Sequence, residues 1–149
     1  MNLLIKEICH TVGEELGKGY NECIYQEGIA VLLRQKTINY SKEVNLSVKF
    51  KNIIIGNVRA DIVIPDEKFI IECKAIDGNL KLSHIPQLIK YLKITNYSHG
   101  VFVNFNQNPS KQIVELIFIE AVTNKDNTLI YNISFNDETH FMNENGLII

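Results

Sequence analysis

Residues 53–75 read IIIGNVRADIVIPDEKFIIECKA. Two apolar runs, 53–64 and 69–75, flank Pro65-Asp66-Glu67-Lys68, a turn signal, so the stretch predicts a β-hairpin. Gly56-Asn57 predicts a bend or bulge in its first strand. The second run is apolar on both faces, which predicts a strand inside a sheet. With Asp66 and Glu67 as the loop, Ile64 faces Phe69 and Asp61 faces Glu72. Opposed residues hold their Cβ atoms about 4.5–5.5 Å apart. Two carboxylates that close repel one another, and apolar strands raise the cost of leaving them uncompensated. A divalent cation resolves the conflict. Lys74 lies two residues beyond Glu72 and shares its face, so two carboxylates and one ammonium converge. Oxygen donors of this kind suit Mg²⁺ or Mn²⁺ and leave room for water and a substrate phosphate. The competing reading is a salt-bridged Asp–Lys–Glu cluster without chemistry.

Outward from the hairpin, helical spacing of Ile5, Ile8, Cys9, Val12 and Leu16 predicts a helix over 3–16. A second helix is predicted over 21–36, capped by Asn21, with Ile24, Ile29, Leu32 and Leu33 as its apolar contacts. Alternation of Val44, Leu46, Val48 and Phe50 predicts a strand over 43–50, and Lys51-Asn52 a turn. Downstream, a helix is expected over 83–95, with Ser83 as its cap, Pro86 in its first turn and Ile85, Leu88, Ile89 and Leu92 on one face. Gln87 and Tyr91 then fall on the opposite face. Residues 99–105 read as a strand, 111–122 are ambiguous between strand and helix, and 129–135 suggest another strand. The fold class is α/β, a mixed central sheet flanked by helices.

The chain has 149 residues, 46% hydrophobic and 21% charged, ordinary for a globular domain and unlike disordered, collagenous or coiled-coil sequences. No apolar run is long enough for a membrane span, and the charged first ten residues lack a signal peptide's apolar core. The expectation is an intracellular, cytoplasmic protein. Three cysteines without a CxxC spacing argue against disulfides or zinc, and buried thiols are expected. The net charge is −2; residues 123–149 carry −3 of it and residues 1–122 a net +1. A nucleic-acid partner must therefore be met by local clustering rather than by overall charge. Lys81, Lys90 and Lys93 are candidates for such a cluster, and Tyr20, Tyr25, Tyr40, Tyr91 and Tyr97 for base-stacking platforms. Two units are expected: a core over 1–122 and an acidic extension over 123–149 packing on it.

Asp61 followed by Glu72-Cys73-Lys74 on the next strand, in the order helix–three strands–helix–strand, resembles the PD-(D/E)XK nuclease superfamily and its restriction-endonuclease-like core. Gly19-Tyr20-Asn21-Glu22-Cys23-Ile24-Tyr25 resembles the signature of the GxxExxY family within it. Arg59-Ala60-Asp61, Gln87, Tyr91, Gly100 and Asn104-Phe105 are further matches; Ala60 stands where the superfamily pattern has Pro. The resemblance implies Asp61, Glu72, the Cys73 main-chain carbonyl and Glu22 as metal ligands, with Lys74 as the catalytic lysine. It implies that Gln87 and Tyr91 close over the site, Gln87 orienting a phosphate or Lys74.

The first functional reading is a Mg²⁺- or Mn²⁺-dependent nuclease acting on DNA, with RNA second, and with no small-molecule cofactor and no membrane partner. A homodimer is consistent with cutting two strands. The second is a non-catalytic nuclease-fold module that binds nucleic acid or a protein. The third is an assembly role for the tail 123–149.

Overall fold

The fold is described from a computed structural model covering residues 1–135 and 137–149. Helices α1 (Asn2–Leu16) and α2 (Glu22–Gln35) come first. Strands β1 (Ser41–Phe50), β2 (Ile53–Ile64) and β3 (Phe69–Lys74) follow, then helix α3 (Ile85–Thr95) and strand β4 (His99–Phe105). Strands β5 (Val114–Thr123), β6 (Leu129–Phe135) and β7 (Glu138–Met142) complete the chain. All seven strands form one sheet in chain order, mixed because β3 and β4 run parallel while the other neighbours are antiparallel. Helix α3 is the crossover that a parallel pair requires.

The hairpin register is the one its spacing predicts. Ile62 pairs with Ile71, Val63 with Ile70 and Ile64 with Phe69. The connection spans four residues rather than two: Pro65–Glu67 form a 3-10 turn, closed by Lys68 in the left-handed region at φ 49°. In the β1–β2 hairpin, Lys51 and Asn52 both take positive φ, 50° and 65°, as a two-residue turn matched to strand twist demands. The bulge falls beside Gly56, where Val48 pairs with Gly56 but Lys49 pairs with Ile54.

Two cores form, one on each face of the sheet. On one, α1 and α2 contribute Ile5, Ile8, Cys9, Val12, Tyr25, Ile29 and Leu33 against Ile62, Ile71, Cys73, Val101 and Phe105. On the other, α3 contributes Ile85, Leu88, Ile89 and Leu92 against Ile70, Phe102, Ile117 and Ile133. Burying one such Leu or Ile contributes about 1.5–3 kcal/mol.

Several local expectations are corrected. Cys23 is exposed, whereas Cys9 and Cys73 are buried; burial pushes the Cys9 thiol up to about 12. Ile24 is exposed too, because the inward stripe of α2 runs through Tyr25, Ile29 and Leu33 instead. Asn21 sits at the cap position of α2, but its side chain accepts from Cys23 Sγ rather than from the helix backbone. Ser83 does not cap α3: a 3-10 turn over Leu82–His84 precedes it, and His84 closes that turn by accepting from Lys81 N at 2.9 Å. Of the ambiguous stretch 111–122, residues from Val114 onward resolve as strand β5, and β7 was not anticipated. The acidic tail continues the sheet beyond β5, and its Glu144 engages Lys93 at 2.9 Å while its main chain accepts from Lys90 at 3.2 Å. Two of the three lysines expected beside the site are thereby occupied.

Candidate active site

Asp61 is the first residue of β2 beyond the β2–β3 ladder, and there the two strands change how they bond. Asp61 N donates to Glu72 Oε1 at 2.9 Å, and Cys73 N donates to Asp61 Oδ2 at 2.8 Å. Each side chain thus takes a main-chain donor of the opposite strand and leaves its second oxygen uncommitted to the backbone. Gln26 Nε2, one turn into α2, donates to the Asp61 carbonyl at 3.3 Å. Asp61 is held at three atoms by two elements, β3 and α2.

Glu72 is buried and Asp61 half-buried. Burial pushes Glu72 up to about 8, with the Asp61 charge as the next cause. Asp61 is also raised by burial; bonds from Cys73 N and Glu72, and the charges of Lys74 and Arg59, work against the shift. Both carboxyls are raised, and the two titrate as one coupled pair. Lys74, half-buried, opposes the rise at both.

Glu22 opens α2 and is solvent-exposed. Partial burial of its carboxyl and the Asp61 charge raise it, and Lys74 lowers it, so it belongs to the same electrostatic group. Among the described residues no three Asp, Glu, His or Cys side chains form a ready metal-ligating group; Glu22 stands off from the Asp61–Glu72 pair. The donor set nevertheless fits a hard divalent cation. It consists of oxygens, and two desolvated carboxylates in contact need either a proton or a cation between them.

The segment Gly17–Tyr25 is built as a clamp. Gly17 and Gly19 take φ 70° and 111°, which glycine adopts without strain. Tyr25 is fully buried, stacks on Phe105 at 4.5 Å, and its hydroxyl donates to the Gly17 carbonyl at 2.6 Å. Gln107 joins the two loops: its Nε2 donates to the Tyr25 hydroxyl at 3.1 Å and to the Phe105 carbonyl at 2.7 Å, while its Oε1 accepts from Gly19 N at 2.6 Å. Lys18 donates to the carbonyls of Asn108 and Lys111. Tyr25 is therefore a core residue and not a stacking platform.

The loop leaving Lys74 is pinned in the same manner. Asn104, wholly buried, accepts from Ile76 N at 3.0 Å and donates to the Gly78 carbonyl at 2.9 Å. Asn106 accepts from Gly78 N at 3.1 Å, and Glu115 accepts from Leu80 N at 2.8 Å. Gln26, Gln107, Asn106 and Glu115 went unnoticed in the sequence. The run of amides from Asn104 to Asn108 after an apolar strand was the one available signal.

Gln87 and Tyr91 sit on α3 as predicted, but on different footings. Tyr91 is 5% exposed and packs in the core with Leu88 and Leu92, not on the face away from them. Gln87 is exposed and donates to the Tyr91 hydroxyl at 3.0 Å. Burial, then the Glu72 charge, raises the Tyr91 hydroxyl, so Tyr91 turns its polar end toward the carboxylate pair.

The sequence profile of the PD-(D/E)XK nuclease superfamily matches residues 1–116. The chain belongs to that superfamily. The crystal structure of SSO0001 aligns with it at 21% identity and a TM-score of 0.49, over 66% of this chain and 50% of that one. This chain thus spans half the length of that protein. No curated protein matched. Membership of the superfamily points to a nuclease-type function, to the divalent metals that such nucleases typically use, and to nucleic acid as the class of partner. Among the described residues, no helix is long and apolar enough to cross a membrane.

Proposed function

We propose that this chain is a divalent-metal-dependent nuclease of the GxxExxY type that hydrolyses phosphodiester bonds in DNA. One observation carries the reading: Asp61 and Glu72 are desolvated, in mutual contact, and fixed there by main-chain donors, with Lys74 beside them. Burial and mutual repulsion raise both carboxyls even with Lys74 and Arg59 beside Asp61, the condition that a bound cation would relieve.

Asp61, Glu72 and the Cys73 carbonyl would hold Mg²⁺ or Mn²⁺, with Glu22 reaching in from the start of α2. When bound, the cation supplies a lowered water pKa and neutralisation of phosphate charge. Lys74 donates to a non-bridging phosphate oxygen, where charge grows as water attacks phosphorus in line and the sugar oxygen leaves. Gln87 and Tyr91 form the α3 wall, with the Gln87 amide placed to meet the neighbouring phosphate. The Gly17–Tyr25 clamp holds the start of α2, and with it Glu22, against the sheet. The domain unit is the whole sheet with its helices, the tail supplying its outer strands β6 and β7 and the core residues Tyr131, Ile133 and Met142.

The test is calorimetric titration of Mn²⁺ into the parent and into Glu72→Ala, followed by cleavage of labelled DNA by the parent and Lys74→Ala. Saturable binding lost in the first variant, and cleavage lost in the second with the fold intact, support the reading. Cleavage by Lys74→Ala at the parental rate refutes it.

A further inference from the structure

Only Ile62–Ile64 of β2 pair with β3, while β1 and β2 remain paired from Ser41↔Val63 out to Phe50↔Ile53. The hairpin therefore runs past β3 at Asp61 and continues as a two-stranded ribbon. Its exposed outer five residues on β2, 53–57, reach roughly 16 Å at 3.3 Å per residue. The root is anchored: Leu46 is buried, and Val44 and Val58 pack on the core beneath α3. The tip is bare, with Phe50, Ile53, Ile54 and Ile55 each 59–67% exposed.

Charge along this ribbon is one-sided. Residues 44–60 carry Lys49, Lys51 and Arg59 and no acid, in a chain whose net charge is −2. Arg59 lies close enough to Asp61 to lower its carboxyl, and Asn45, opposite it, is exposed. The cationic line therefore starts at the candidate active site and ends at the apolar tip, where Lys51 Nζ lies 5.7 Å from the Phe50 ring centroid.

We infer that this ribbon is the arm by which the protein grips duplex DNA. Its cations contact the backbone, and its aliphatic tip enters the minor groove and unstacks a base step near the phosphate presented to Asp61 and Glu72. The inference rests on the nuclease reading for the position of the cut, and on the ribbon alone for binding. The exposed apolar side chains at the tip, Phe50, Ile53, Ile54 and Ile55, carry no hydrogen-bonding group, so they cannot read base edges, whereas apolar wedges between base steps are an established way to hold bent DNA. A-form RNA offers a wide, shallow minor groove with nothing to grip a wedge. A second copy is disfavoured by area and by charge. The four tip residues expose of order 500 Å², against the roughly 800 Å² per partner of a stable interface, and two such ribbons repel.

The experiment is fluorescence anisotropy with a short duplex carrying 2-aminopurine, in EDTA, using the full chain. Lys49→Gln/Lys51→Gln should weaken binding about 10-fold or more at low salt, and flatten the slope of log K against log salt by about 2. Ile53→Ser/Ile54→Ser should abolish the rise in 2-aminopurine fluorescence; both tip positions are exposed, and circular dichroism verifies the fold. Parental binding by both ribbon variants overturns the inference, as does equal affinity for an RNA duplex, or no duplex binding by the parent. So does a parental dimer in sedimentation that Ile53→Ser/Ile54→Ser converts to monomer. A parent that binds through the ribbon and never cuts with Mg²⁺ or Mn²⁺ supports the arm and overturns the catalytic reading alone.

Discussion

Replacing Glu72 by Gln should make the metal-free protein more stable at neutral and alkaline pH while abolishing its response to metal. Glu72 is pushed from 4.5 up to about 8 by burial and by Asp61. In the pH window between those values the native state keeps a proton that the unfolded chain has released. Stability therefore falls as pH rises from about 4.5 to 8. At pH 7 the native state has forgone roughly 2.5 units of ionisation, and at 1.36 kcal/mol per unit that is roughly 3 kcal/mol. Gln keeps an acceptor for Asp61 N and a donor toward the Asp61 carboxylate, but does not titrate. Parent and variant should then differ little at pH 5 and by roughly 3 kcal/mol at pH 7, a gap of about 6–12 °C in Tm for a chain of this size.

The assay is thermal unfolding followed by circular dichroism at pH 5, 6, 7 and 8, in EDTA and then with Mn²⁺. The difference between the two proteins isolates Glu72 from every group that both share. Mn²⁺ should raise the parental Tm at pH 8 and leave that of Glu72→Gln unmoved. A variant less stable than the parent at pH 8 in EDTA would refute the reasoning, because it would mean the carboxylate is compensated within the protein.

Tyr25→Phe keeps the stack on Phe105 but removes the hydroxyl between Gly17 and Gln107; it should cost about 1–2 kcal/mol in urea unfolding. Asn104→Ala strands Ile76 N and the Gly78 carbonyl, and should cost about 2–4 kcal/mol and loosen the loop after Lys74, read as faster amide exchange at Ile76 and Gly78. Gln26→Ala removes the bond to the Asp61 carbonyl; it should weaken Mn²⁺ binding several-fold in calorimetry with Tm nearly unchanged.

The hairpin was legible because its information is local. Turn residues at 65–68 set the register, and the register sets Asp61 opposite Glu72. The α3 crossover and β4 followed from periodicity in the same way. What escaped lacked a local signature. In β5, Ile117 and Ile119 face one core while Leu116 and Phe118 lie toward the other, so apolar residues on both faces blur the period of two. Strand β7 is short and polar at the sheet edge. Gln26 and Gln107 act on partners 35 to 88 residues away, which no spacing rule reaches. Tyr91 was misplaced because a phenol satisfies both assignments at once: its ring belongs to the core and its hydroxyl to the site.

The clamp and the carboxylate pair make sense only together. Two carboxylates that repel would ordinarily turn apart into solvent once both ionise. Here Asp61 is bonded at its amide, its carbonyl and one carboxylate oxygen, to Glu72, Gln26 and Cys73 N. Glu72 is buried and tied to the Asp61 amide. The pair cannot relax by rotation, so the two means of relief left are a proton and a cation. Fixed, desolvated oxygens that gain from a positive charge make a preorganised site, in which reorganisation is settled when the protein folds. The buried amides of Asn104 and Gln107, and the Tyr25–Phe105 stack, supply the rigidity that holds this strained arrangement. That division of labour explains why a clamp lacking chemistry of its own lies next to Glu22 in the sequence.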